Sequence, residues 1–403
     1  MPGGFVSDRT ERYLLSHPDG CDKIVCDDNV GCLGRTRQPG KSINMKRLTA
    51  IILSVLIIFS LFSCGVRPRP ETDGTTEAVR TETESETPAA TESVPETDGS
   101  GTEDGSETEE GTEGPDPAAP LLWRVTDADG HSLFLFGTCH VGDERSDAVF
   151  SRVVPVLDKC DALAVEFDVV AYEKNVVQMA KDTAQYLLTD GSTVSDYMPQ
   201  ELYDRSCELL ERAEMYSAIF DRYNLAWWAQ MVDSAIQELY SDLDTDKAMD
   251  SMLIDHAYGI EIPVLEVESA EFQLTLLNTF DNELYLLLIE DALDGADTYG
   301  DDLDELFALW LSGDRDAFWE YLSAENGEEE LSADYTEEQI ALIEDYNRRL
   351  LDDRNLGMFD RAVEYLGSGQ TVFFAVGAAH MANGVGLVQL LTDAGYTVEE
   401  VNY

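Results

Sequence analysis

The chain has 403 residues, 44% of them hydrophobic, and a formal net charge of -55 from 81 acidic against 26 basic side chains. A surplus of that size repels polyanions at long range and disfavours docking on anionic lipid, so nucleic acid is excluded as a partner class; most of these charges simply solvate the surface. Seven cysteines, none in a C-x-x-C pair, offer neither a disulfide framework nor a zinc ribbon, and length alone permits one large core or two small ones.

Met45, Lys46 and Arg47 precede an apolar run from Leu48 to Phe62. This run is shorter than the ~20 residues a spanning helix needs and suits the core of an export signal. It closes on Leu61, Phe62, Ser63 and Cys64, which resembles the bacterial lipobox, with Cys64 as the lipidated residue and Phe62 an unusual occupant of its slot. Signals begin near an N-terminus, so 45–64 reads as a lipoprotein signal peptide and 1–44 as an extension from a mis-chosen start codon. An uncleaved signal anchor with Cys64 as bystander is the competing reading. Residues 65–120 hold no aromatic residue and no lysine and are dominated by Thr, Glu, Ser, Gly, Pro and Asp. They cannot bury enough apolar surface to offset ordering entropy, which predicts a disordered acidic linker.

Apolar periodicity starts at Leu121 and persists to the C-terminus, marking 121–403 as one folded domain. Leu122 to Val125 and Ser132 to Phe136 read as strands joined by a hairpin through Asp127, Ala128, Asp129 and Gly130. A helix from Ser146 to Lys159 then leads to the apolar strand Ala162 to Phe167. Amphipathic helices are expected over Pro199 to Ala213, Asn224 to Tyr240, Lys247 to Tyr258, Asn282 to Leu293, Asp314 to Ala324 and Glu337 to Leu351, interrupted by a short strand Pro263 to Val267. Strand Thr371 to Val376, a helix from Val385 to Ala394 and strand Thr397 to Val401 close the chain. The predicted class is α+β with α/β-type elements, a central β-sheet flanked by many helices.

Leu133 to Glu166 and Thr371 to Val401 echo each other as strand, Gly-x-x-His, helix, strand, with the turns at Gly137 to His140 and Gly377 to His380. Ligands gather at the carboxyl ends of strands in open α/β sheets, so the two half-repeats can bring two imidazoles to one rim. Glu166 is an ionisable residue in an apolar strand, a placement that is costly unless the carboxylate is paired, hydrogen-bonded or metal-bound. Glu268 repeats the pattern after Pro263 to Val267, although Ser269 suits an N-cap and acidic residues suit a first helical turn, as for Glu271. Two imidazoles and carboxylates form a ligand set for a divalent transition metal. A remaining carboxylate could then serve as general base. Arg354 and Asn355 are placed to clamp a substrate carboxylate or to orient Glu166, with a surface salt bridge as the plain alternative for Arg354. Cys139 adjoins His140, but sequence neighbours at a strand end point to opposite faces, so it is not expected to be a nucleophile, and Trp227 and Trp228 are expected to fill a helix interface.

These residues together resemble the TraB/PrgY/GumN family. The resemblance rests on Trp123, LFGTCH from Leu135 to His140, Val165-Glu166, VESAEFQ from Val267 to Gln273, Arg354-Asn355 and AVGAAH from Ala375 to His380. Gly384, Gly386 and Gly395-Tyr396 are similar to the family's ending, whereas Ser269 stands where threonine is common and Cys139 fills a variable slot. The resemblance implies a fold shared with Tiki ectodomains and related to ChaN-like and erythromycin-esterase-like proteins. It also implies a metal-dependent peptidase, because the Gly-x-x-His histidines and a glutamate serve activity in the Tiki relatives and match His140, His380 and Glu166. Other relatives act on secreted peptides by degrading or sequestering them.

The expected function is therefore a metal-dependent hydrolase, a peptidase acting on extracytoplasmic peptides. Its expected metal ligands are His140, His380, Glu166 and Glu268, with Glu166 as ligand or base and Arg354 positioning substrate. The cofactor is a divalent transition metal, with Mn, Co and Zn as candidates; the partner is a peptide or small-molecule substrate. Membrane contact is through the lipid anchor only, on the extracytoplasmic side, and the sequence sets no oligomeric state. The competing classes are a non-catalytic peptide-sequestering lipoprotein and a haem or metal carrier.

Overall fold

The computed structural model describes residues 119–323, 335–382 and 385–401. The extension 1–44, the signal segment 45–64 and the linker as far as residue 118 lie outside the described residues. Among the described residues six strands form one sheet: β1 (Leu122–Thr126), β2 (Ser132–Thr138), β3 (Ala162–Val165), β4 (Val264–Glu266), β5 (Val372–Gly377) and β6 (Thr397–Glu400), in spatial order β4-β3-β5-β2-β1-β6. β1 pairs antiparallel with β2 and β6, while β2, β5, β3 and β4 pair in parallel. Strands covered on both faces read as continuous apolar runs: β3 and β5 bury every residue, and β2 all but Phe134. The edge strands β4 and β6 keep exposed residues. In the β1–β2 hairpin the Asp127 carboxylate accepts the Asp129 and His131 N–H groups, and Gly130 takes a φ of 90°, a left-handed value that a side chain resists.

The helices are α1 (Ser146–Leu157), α2 (Val169–Lys174), α3 (Val176–Thr183), α4 (Gln200–Arg212), α5 (Leu225–Tyr240), α6 (Met249–Gly259), α7 (Ala270–Leu277), α8 (Asn282–Gly295), α9 (Tyr299–Ser312), α10 (Arg315–Ser323), α11 (Glu337–Asn347), α12 (Asp353–Gly367) and α13 (Leu387–Asp393). The class is α+β, as the sequence predicts. Four helices, α2, α3, α9 and α12, lie where periodicity predicts none, and α7 is signalled only by its N-cap Ser269. α2 and α3 are too short to show a period and are begun by side-chain caps, Asp168 accepting from Ala171 N–H and Asn175 from Gln178 N–H. α9 does carry a buried stripe, Leu303, Leu306, Phe307, Trp310 and Leu311, behind an acidic first turn. Trp227 and Trp228 are buried in α5 against Tyr223 and Tyr203, so they fill a helix interface. No helix among the described residues is long and apolar enough to cross a membrane.

The connections locate the rim that matters. From β2 the chain passes through α1 to β3, on the far side of β5; from β5 it passes through α13 to β6, at the opposite edge. Neighbouring parallel strands whose connections leave in opposite directions open a crevice at their carboxyl ends. The register sets Thr138 beside Gly377, so the two Gly-x-x-His turns leave the sheet side by side.

Candidate functional site

His140 lies just past β2, and its Nδ1 stands 2.7 Å from Asp250 Oδ2. The other Asp250 oxygen accepts the Thr138 hydroxyl at 2.9 Å. Backbone bonds stitch this turn to the start of α6 and the loop before it: Met249 N–H donates to the Cys139 carbonyl at 3.0 Å, and Gly142 and Asp244 each donate an N–H to the other's carbonyl. His380 lies in the 3-10 turn Ala378–Met381 after β5, with Nδ1 2.7 Å from Asn355 Oδ1 on α12. An oxygen acceptor at each Nδ1 assigns the proton of the neutral ring to that nitrogen and leaves Nε2 as a lone pair. Both Nε2 atoms are buried without a hydrogen-bond partner among the described residues. Each stands 3.8 Å from the same atom, Glu166 Oε1.

Glu166 follows β3 and is held from three sides. Its Oε1 accepts the Gly377 N–H at 2.9 Å; its Oε2 accepts Gln273 Nε2 at 2.9 Å and Arg354 Nη2 at 2.6 Å. Arg354 also grips Glu268, through Nε at 3.0 Å and Nη2 at 2.8 Å, and donates Nη1 to the Leu350 carbonyl. Gln273 Nε2 lies 2.8 Å from Glu268 Oε2. A π-helical turn, Arg348–Asp352, immediately precedes α12, which carries Arg354 and Asn355, an irregularity common at functional sites.

The electrostatics follow from burial and pairing. Burial pushes the Glu166 carboxyl up, but Arg354 first, then both imidazoles and the Gly377 N–H, bring it down to about 2. Burial opposes charge on His140, yet Asp250 and then Glu166 outweigh it and raise its pKa. His380 has a neutral amide behind it; burial first and Arg354 next lower it to about 3. Arg354 pairs with Glu166 and Glu268, while Asp250 pairs with the His140 ring, so each carboxylate of the cluster has a cationic or imidazole partner.

The glycines act through close approach rather than unusual torsion. A Cβ at Gly377 would stand 2.9 Å from His140 Nε2 and 3.3 Å from Glu166 Oε1, so the absent side chain leaves a cradle between those atoms. A Cβ at Gly137 would stand 3.0 Å from Ala378 Cα, which shows how tightly the two turns pack. Trp310 of α9 fixes the first turn by donating its indole N–H to the Gly137 carbonyl at 2.9 Å.

The structure thus gathers His140, His380, Glu166, Glu268 and Arg354 at one rim. Arg354 is buried, not a surface salt bridge, and its contacts orient Glu166. Glu268 meets Arg354 and Gln273 rather than the imidazoles, while Ser269 caps α7 by accepting the Phe272 N–H. Glu271 is exposed. Burial pushes the Cys139 thiol up to about 12, which leaves no thiolate for nucleophilic attack at neutral pH. Sequence reasoning missed Asp250, Thr138 and Trp310. An aspartate in a helix's first turn reads as a dipole partner, and nothing in spacing ties it to a histidine 110 residues away.

Among the described residues, no group of three or more His, Cys, Asp or Glu side chains is set to hold a metal ion. The donor chemistry nevertheless fits one. Among the described residues both Nε2 atoms are unpartnered, each ring is braced at Nδ1 as ligating histidines are, and a Glu166 carboxylate oxygen borders the cradle at Gly377.

Comparison with known proteins agrees with the motifs. The chain is 24% identical over 188 residues to the uncharacterized protein YbaP of Escherichia coli (strain K12), covering 47% of this chain and 67% of that protein. It is 25% identical over 178 residues to YbaP of Shigella flexneri, covering 44% of this chain and 63% of the relative. No solved structure gives a significant match. Residues 121–400 match the TraB/PrgY/gumN family, and the chain belongs to that family.

Proposed function

We propose that the domain is a metal-dependent hydrolase that cleaves peptide bonds outside the cytoplasm, held at the membrane by a lipid on Cys64. The observation that carries this reading is the pair of orphaned Nε2 atoms turned toward one oxygen of Glu166. His140 and His380 would hold a divalent cation through Nε2, and Glu166 through Oε1. Glu166, with its carboxyl near 2, stays ionised at any physiological pH, which suits a ligand better than a proton acceptor. Arg354 and Gln273 fix that carboxylate by occupying its other oxygen. A divalent cation in this position would supply Lewis acidity, polarising an amide carbonyl and acidifying a water molecule. Arg354 positions Glu166 and Glu268 rather than substrate, because these carboxylates and the Leu350 carbonyl engage its donors.

The depth of the site favours a second reading, a non-catalytic module that captures a peptide without cutting it: His380 is fully buried, and the rest of the His140, Glu166 and Arg354 cluster is at most 4% exposed. The two readings part in one experiment. The full chain is loaded with Zn2+, Mn2+ or Co2+, assayed for bound metal, and incubated with a peptide library with and without chelator. The hydrolase reading expects stoichiometric metal, its loss in both His140→Ala and His380→Ala, and cleavage that chelator abolishes. Full metal content in both variants, or peptide binding without chelator-sensitive cleavage, would reject it.

A further inference from the structure

The two imidazoles are braced unequally. Behind His140 stands a carboxylate, Asp250, 4% exposed, whose second oxygen is taken by the Thr138 hydroxyl. Behind His380 stands a neutral amide, Asn355, fully buried, whose Nδ2 has no partner among the described residues. The first brace is also the more heavily built. Met249 N–H binds the Cys139 carbonyl, and the exchange between Gly142 and Asp244 ties the loop before α6 to the turn that carries His140. A Cβ at Gly142 would stand 2.6 Å from the Lys247 carbonyl, so this loop lies directly on the turn. Nothing comparable ties α12 to the second turn among the described backbone bonds.

We propose that Asp250 is a positioning residue for the metal chemistry: it holds His140 as the Nδ1–H tautomer with Nε2 aimed at Glu166, and makes His140 the stronger donor of the pair. The inference rests on the metal reading given above and adds a division of labour within it. A carboxylate can only accept from the ring, so it fixes the tautomer. It also pushes electron density toward Nε2, as the outer-shell carboxylates of metal-bound histidines do. Asn355 fixes the tautomer of His380 without that push. Thr138 keeps Asp250 from rotating, so the orientation of His140 follows from a chain of contacts running from strand to helix to ring. Because both Asp250 oxygens are occupied, Asp250 itself is not a ligand in this arrangement.

Two measurements on the full chain test this. In the first, ¹⁵N-histidine spectra of the metal-free protein report which ring nitrogen of His140 carries the proton. The wild type and Asp250→Asn, whose amide oxygen still accepts, are expected to show the Nδ1–H form, and Asp250→Ala to lose it. In the second, Co2+ and Zn2+ titrations compare affinities. Asp250→Asn is expected to weaken binding by roughly 10-fold or more, within the range usual for outer-shell partners, and Asn355→Asp to tighten it. An Asp250→Ala protein that keeps the Nδ1–H form, or an Asp250→Asn protein that binds metal as tightly as wild type, overturns the proposal. A wild-type chain that binds no metal overturns the hydrolase reading and the donor-strength part of this one, while the spectra decide the tautomer part separately.

Discussion

Glu166 at the sheet rim and Asp233 in the helical layer are both carboxylates enclosed by protein, and they shift in opposite directions. Glu166 is 2% exposed, yet a guanidinium, an amide, a backbone N–H and two imidazoles surround it, and its carboxyl falls to about 2. Asp233, on α5, keeps a little open surface but has no hydrogen-bond partner within the described contacts, and burial alone lifts it to about 8. Its neighbours, Tyr299 and Tyr346, have phenols pushed up by burial and by its charge, and the Tyr299 hydroxyl has no partner among the described residues. Depth is therefore a poor guide to what a buried acid does. Its company decides whether it stays charged.

The most severe way to break this contrast is Arg354→Met, which strips the rim of its cation and leaves Glu166 and Glu268 unpaired. Removing one partner of a buried pair costs about 3–5 kcal/mol, and denaturant unfolding should show a loss of that size. A loss under about 1 kcal/mol would mean that the carboxylates are stabilised without the guanidinium.

Asp233→Asn probes the other side. The folded acid keeps its proton up to about 8, whereas the unfolded one releases it near 3.8, so wild-type stability declines as pH rises between those values. The amide cannot ionise, so the variant should gain on wild type through that window and level off above it, by about 3 kcal/mol after allowing for partial solvent access. Unfolding curves that stay parallel from pH 4 to pH 9 would discard the account.

Gly377→Ala sharpens the rim itself by placing a methyl group against His140 Nε2 and Glu166 Oε1. Co2+ affinity should fall at least about 10-fold, about 1.4 kcal/mol, with a smaller change in unfolding free energy. The mildest test is Trp310→Phe, which leaves the Gly137 carbonyl without its indole donor and should cost about 1 kcal/mol, read in the same unfolding assay.

What the sequence discloses follows from how each feature is encoded. β2, β3 and β5 are legible because strands covered on both faces are apolar throughout, and Glu166 stands out because a charge there needs a partner. The two histidines are legible because they recur at corresponding places. Asp250 is not, since its bond to His140 joins residues 110 apart in the chain and the residue itself looks like an ordinary first-turn acid. Glu268 shows the same limit from another side: its position beside a good N-cap is visible, but its capture by Arg354 is a contact across 86 residues that no local pattern announces. α9, and with it Trp310, was hidden by an acidic opening turn despite a regular apolar stripe behind it.

The strand order has a consequence for biogenesis. β5 lies between β3 and β2, but it leaves the ribosome roughly two hundred residues after β3, so the centre of the sheet must stay open or be pried apart until the last tenth of the chain arrives. Such late insertion of a central strand makes folding slow and leaves long-lived unpaired edges that need protection. It also means that a chain cut short before β5 lacks His380, the cradle at Gly377 and the pairing that brings β3 to β2. Only a finished chain can own the site.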